Sequence, residues 1–191
     1  RGADGKPTGD QLYGVFELRN QWDPLGNAIG ISCYDADGKP AGCGRTGFHA
    51  QRSTFDDVGR AIEVQFFGID GAPATNMGAS SRRNRHDNYD HVFESQSFDA
   101  KGALFEVAGA ATRRNLYDDA HRRFAIVLLD AKGNPANYTA CYTGHTCPKN
   151  KKWHAVRIVR RPNGSVEKNQ FFDASGQLID TQLCATARCF D

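Results

Sequence analysis

The chain has 191 residues, enough for one domain with a real core. With 39% hydrophobic and 24% charged residues it reads as a soluble globular chain, which excludes disorder. A formal charge of only +2 argues against nucleic acid as the main partner, and no apolar run approaches the ~20 residues of a membrane-crossing helix. The chain begins at Arg1 without a methionine or a signal peptide, as expected of a processed or trimmed protein.

In chain order, the first predicted strand, near 15–22, ends in the turn Trp22-Asp23-Pro24-Leu25-Gly26. A second kind of turn follows at Tyr34-Asp35-Ala36-Asp37-Gly38. Both recur. Strands near 48–55 and 60–67 flank the inner turn Phe55-Asp56-Asp57-Val58-Gly59, and Phe67-Gly68-Ile69-Asp70-Gly71 forms the next outer turn. Strands near 79–86 and 92–98 flank His86-Asp87-Asn88-Tyr89-Asp90, before the outer turn Phe98-Asp99-Ala100-Lys101-Gly102. Strands near 110–117 and 123–129 flank Tyr117-Asp118-Asp119-Ala120-His121, before Leu129-Asp130-Ala131-Lys132-Gly133. The last pair, near 153–160 and 166–172, flanks Arg160-Arg161-Pro162-Asn163-Gly164 and ends at Phe172-Asp173-Ala174-Ser175-Gly176.

The outer-turn glycines lie 33, 31, 31 and 43 residues apart, so the chain is a tandem array of about five units. Each unit is strand, turn, strand, turn. Aspartate near the start of a turn accepts its amides, and glycine, asparagine or aspartate tolerates positive φ. The segment Ala61-Ile62-Glu63-Val64-Gln65 alternates apolar and polar residues, the pattern of a half-buried strand. The predicted fold is all-β: an antiparallel meander of about five hairpin repeats in one domain over 1–191, as a twisted open sheet or a β-solenoid-like stack sharing a core.

Six cysteines fall as close pairs: Cys33 with Cys43, Cys141 with Cys147, and Cys184 with Cys189. Local pairing as three disulfides is the simplest of the 15 connectivities and places the chain in an oxidising compartment, secreted or periplasmic. The gaps of 10, 6 and 5 residues do not supply the CxxC-type spacing usual in zinc sites.

Arg19, Arg52, Arg83, Arg114 and Arg157 repeat with the same spacing as the glycines. One reading is a ladder of guanidinium groups offered to an anionic ligand. The other is structural: each arginine pairs within its own hairpin and stacks on a repeat aromatic. Counting across the inner turn puts Arg52 opposite Glu63 and Arg83 opposite Glu94. A residue present in every unit serves the unit, which favours the structural reading.

Phe55-Asp56-Asp57-Val58-Gly59-Arg60-Ala61-Ile62-Glu63-Val64 resembles the YD repeat of Rhs-type proteins, whose core reads roughly YDxxGRL before a short strand. Tyr117-Asp118-Asp119-Ala120-His121-Arg122 is similar, with His121 in place of the glycine. The resemblance implies β-hairpin repeats. The longer period and the small number of units depart from that family's cargo-enclosing shells, so it does not imply encapsulation.

No GxSxG, HxxxH or HExxH motif occurs, and the paired aspartates sit in turns that already use them. No catalytic residue, metal ligand or cofactor is therefore expected, although His86, His91 and His121 at inner turns could approach one another. Arg82, Arg83 and Arg85, with Arg113 and Arg114 on the next corresponding strand, form a candidate binding patch. The extra residues between the fourth and fifth units, 137–153, add Tyr142, His145, Lys151 and Trp153 as candidate contacts on a cysteine-held loop. The leading expectation is an extracytoplasmic, non-enzymatic module that binds a protein, as an inhibitor or immunity-type partner. The alternatives are a binder of glycan or cell-envelope polymer, and a hydrolase with a site assembled across repeats.

Overall fold

The computed structural model describes residues 15–43, 47–139, 148 and 151–184. Eleven antiparallel strands form one meandering sheet whose strand order is the chain order. They are β1 (Glu17–Trp22), β2 (Ala28–Tyr34), β3 (Ala50–Phe55), β4 (Ala61–Phe67), β5 (Ser81–His86) and β6 (Val92–Phe98), followed by β7 (Thr112–Tyr117), β8 (Arg123–Leu129), β9 (Ala155–Arg160), β10 (Val166–Phe172) and β11 (Leu178–Leu183). β1 and β11 are the edge strands. All nine expected strands are present, and β2 and β11 are added to them.

Most of the described turns close by the same chemistry; those opening at Gly68 and Arg161 lack the leading aspartate. At the first inner turn Asp23 Oδ1 accepts the amides of Leu25 and Asn27, and the Gly26 amide donates to the Asp23 carbonyl. Asp56, Asp87 and Asp118 repeat this at the next inner turns, and Asp35, Asp99, Asp130 and Asp173 at outer turns. The residue ending such a turn must take positive φ, as Gly59 does at 86°. The third and fourth inner turns put Asp90 (φ 65°) and His121 (φ 59°) there instead. Three residues beyond the left-handed position, a bulge leaves Ile29, Ile62 and Phe124 without a partner and shifts the register at Gln21/Trp22, Thr54/Phe55 and Leu116/Tyr117.

After the outer turn, proline bridges back to the strand it has just left: Pro40 to Tyr34, Pro73 to Phe67 and Pro135 to Leu129. The alanine that follows donates its amide to the strand again, Ala41 to Cys33, Ala74 to Phe66 and Ala136 to Leu128. A small side chain lets this segment lie close over the core side of the sheet.

The chain divides into two compact units. The first is Arg1–Asn84 with Ser97–Ala103, and the second is Arg85–Gln96 with Leu104–Asp191. Each has its own core. In the first, Val15, Cys33, Cys43, Phe48 and Phe66 pack together. In the second, Tyr138, Trp153 and Phe171 pack with Ile126, Leu128, Val156 and Ile158. Cys33 and Cys43 form a disulfide, as expected from their spacing. Cys184 is disulfide-bonded too, but the expected pairs 141–147 and 184–189 lie outside the described residues.

One core position in the second unit is out of character. Asn169 on β10 is fully buried, faces Ile158 and Gln182 across its neighbouring strands, and has no hydrogen-bond partner for either amide atom. An unbonded buried amide is destabilising. Asn169→Val should therefore raise the unfolding free energy by about 1–2 kcal/mol, measured by urea denaturation. A loss of stability would show that the amide is satisfied.

Candidate functional site: the arginine-bearing sheet face

Strand alternation puts the core side chains on one sheet face and the repeated arginines on the other. Arg19, Arg52, Arg83, Arg114 and Arg157 are all exposed. In the first unit, aromatic rings hold them from below. The guanidinium carbon of Arg19 lies 3.8 Å from the Tyr34 ring centre, that of Arg52 4.7 Å from Phe67, and that of Arg83 4.5 Å from Phe98. Tyr34, Phe67 and Phe98 each open an outer turn, so one repeated ring braces one repeated arginine.

The charge partners differ from those counted across the inner turn. Arg52 faces Gln65, not Glu63: the register lies two residues from that count, and the bulge at Ile62 supplies one of them. Glu63 instead faces Arg83 on the next strand and accepts its Nε–H at 2.8 Å. In the second unit Glu94 faces Arg114, accepting its Nε–H at 2.8 Å, and also takes Arg85 at 3.3 Å. Glu94 is therefore the partner of Arg114, and Arg83 pairs with the preceding hairpin rather than its own. Arg19 pairs with Glu17 on its own strand at 2.8 Å.

The five patch arginines do not share one face. In the first unit Arg82 points to the core side and lies half-buried near the Phe66 ring, while its neighbour Arg83 is exposed on the opposite side. In the second unit Arg113 is half-buried and donates to Asn115 Oδ1 at 3.0 Å, whereas Arg85 and Arg114 converge on Glu94. Trp153 is a correction to its expected contact role. It is 1% exposed and packs edge-on against Tyr138 at 5.1 Å and Phe171 at 5.4 Å. Lys151 is exposed and donates its Nζ to the Ile179 carbonyl. Tyr142 and His145 lie outside the described residues.

On the first unit an open groove of about 560 Å³ lies on the arginine face beside the first two inner turns. Arg52 borders it with Gln21, Asn27, Thr54 and Gln65. In the second unit, rings from two inner turns meet. Tyr89 lies 3.8 Å from His121, and His91 stacks on Tyr117 at 4.4 Å while bonding Asp87 at 3.1 Å. His91 and His121 do approach, at 5.9 Å between centres. Among the described residues no group of three His, Cys, Asp or Glu is arranged to hold a metal ion. The sequence signal for this stack was the pair of turns with a ring at or next to the left-handed position.

Turn hydrogen bonds hold several carboxyls below the usual aspartate range. For Asp23 the main cause is the Asn27 side chain, for Asp56 the Arg60 backbone amide, for Asp118 the Arg122 backbone amide, and for Asp173 the Ser175 hydroxyl. The charged form is thus favoured in the fold, and these aspartates stabilise it above the unfolded value of about 3.9. Their contribution is lost as pH falls below that value. The urea midpoint should hold between about pH 7 and 5 and drop below about pH 4. Equal midpoints on both sides of that window would show that these bonds contribute nothing.

No protein-family model matches the chain, and no curated protein matches it.

Proposed function

We propose that the chain is a non-enzymatic, extracytoplasmic protein-binding module, a hairpin array of YD-like architecture that engages its partner through the arginine-bearing face. The observation that carries this reading is the bracing: on strands of each unit exposed guanidinium groups are held by rings or glutamates. Arginine is favoured at binding hot spots, and side chains fixed beforehand lose less freedom on association. The Cys33–Cys43 disulfide supports an oxidising location.

A second reading, a glycan or cell-envelope binder, draws on the ring stack of the second unit, where Tyr89 remains 62% exposed and free to stack on a sugar. Photocross-linking distinguishes the two. A benzophenone side chain placed at Thr54 should cross-link a polypeptide in envelope or culture extract, detected by mass spectrometry. Cross-linked saccharide, or no adduct at all, would overturn the protein-binding reading.

A further inference from the structure

Across each outer crossing, the same two positions face one another. They are Gly30 and Arg52, Glu63 and Arg83, Glu94 and Arg114, and Ala125 and Arg157. Where glutamate is present, its carboxylate meets the guanidinium at 2.8 Å. The first crossing keeps the arginine and deletes the acid. Among the described residues no carboxylate lies within ion-pair distance of Arg52, although its register and its aromatic brace match those of Arg83. A fold that needed only neutralised arginines would keep the glutamate here.

We propose that Arg52 captures a carboxylate side chain of the protein partner, at the place where the following repeats supply their own glutamate. This rests on the protein-binding reading and names the chemistry of its contact. The open element is the guanidinium itself: Arg52 is exposed and borders the groove of about 560 Å³, whereas Gly30 is buried under the Gln21 side chain. Gln21, Asn27, Thr54 and Gln65 border the groove and supply neutral donors to a carboxylate bound at Arg52. Asp23, Asp56 and Asp57 border it as well. Asp23 is engaged by the Leu25 and Asn27 amides, and Asp56 by the Val58 and Arg60 amides and the Arg60 guanidinium at 2.7 Å. Asp57 is exposed. These charges disfavour a run of acidic residues, so the partner segment carries a single acid flanked by neutral or basic residues. Arg157 faces Ala125, so its crossing also carries no acid at that position.

The test follows the Arg52 Nε–Hε signal by NMR in the full chain. The probe is a blocked pentapeptide with a central glutamate, glycine neighbours and terminal lysines. Saturable movement of the Arg52 signal is expected, with none from the peptide carrying glutamine instead. Gly30→Glu should then weaken binding at least tenfold by supplying an internal carboxylate. A Cβ at Gly30 would meet the Gln21 side chain, 2.9 Å from its Oε1 and 3.3 Å from its Cβ, so Gln21 must shift to admit it; Gly30 is not one of the positive-φ glycines. If that variant does not fold, Arg52→Gln serves in its place, with binding read from backbone amide shifts of the groove residues and the same expected loss. The proposal is overturned if the Arg52 signal does not move, or if the variant binds as well as the parent. It is also overturned if a galacturonate trimer moves the signal and the peptide does not. Polypeptide cross-links at Thr54 with an unresponsive Arg52 would defeat this inference alone. A responsive Arg52 without such cross-links would defeat the wider reading and leave the carboxylate site standing.

Discussion

Phe171→Ala should lower the stability of the second unit by about 3–5 kcal/mol, the largest effect expected of a single substitution here. Phe171 is fully buried on β10 and faces Val156 across the β9–β10 pair. Its ring meets Trp153 edge-on at 5.4 Å with planes at 84°, and Trp153 meets Tyr138 in the same manner at 5.1 Å. Removing the central ring removes its buried area, its edge contact with Trp153, and the support beneath Val156. Of the chain's two tryptophans, Trp153 is buried and Trp22 is 60% exposed. The emission change of Trp153 in urea therefore reports the unfolding of this core. A loss under about 1 kcal/mol would mean that the site collapses around the gap or that Phe171 is not central to the core.

Replacing Cys33 and Cys43 together by alanine should cost the first unit about 3 kcal/mol. The bond spans a sequence separation of 10, and closing so short a loop in the unfolded chain removes about that much entropy-derived free energy. Both cysteines are also buried, at 0% and 3% exposure, in a core of only five buried residues with Phe48 and Phe66. The Cys43 amide bonds the Phe48 carbonyl, so the disulfide anchors the segment that covers this face. Calorimetry of the double variant tests this. An unchanged transition would show that covalent closure contributes nothing to the native fold.

Much of the fold was legible because turn chemistry is local. The aspartate and glycine positions identify each hairpin whatever lies between, and the nine expected strands follow from them. β2 was missed although Ile29, Ile31 and Cys33 alternate with Gly30 and Ser32, and although the period alone locates it between Gly26 and Tyr34. β11 was missed because it follows the last outer turn directly, at Leu178, where other units insert a crossover segment. The site was less legible. Which glutamate faces Arg83 depends on how the chain crosses from one hairpin to the next, because Glu63 meets it across the β4–β5 pair and not across the inner turn. Adjacent basic residues such as Arg82 and Arg83 read as one patch in sequence, but alternation sends them to opposite faces. Trp153 shows a further limit. A large ring in an inserted segment can be contact surface or core, and only the packing against Phe171 decides between them. The missing acid at Gly30 is visible from alignment of the repeats, but its meaning depends on knowing which strand lies beside which.

Because strand order equals chain order, no β-ladder waits for residues far downstream. Each new strand finds its partner already made, one turn earlier. A chain of this kind can assemble vectorially as it emerges from a ribosome or a translocation pore, one hairpin at a time, with little loop-closure entropy at each step. The Cys33–Cys43 bond obeys the same economy: both sulfurs emerge within 10 residues of each other, with no other cysteine between them.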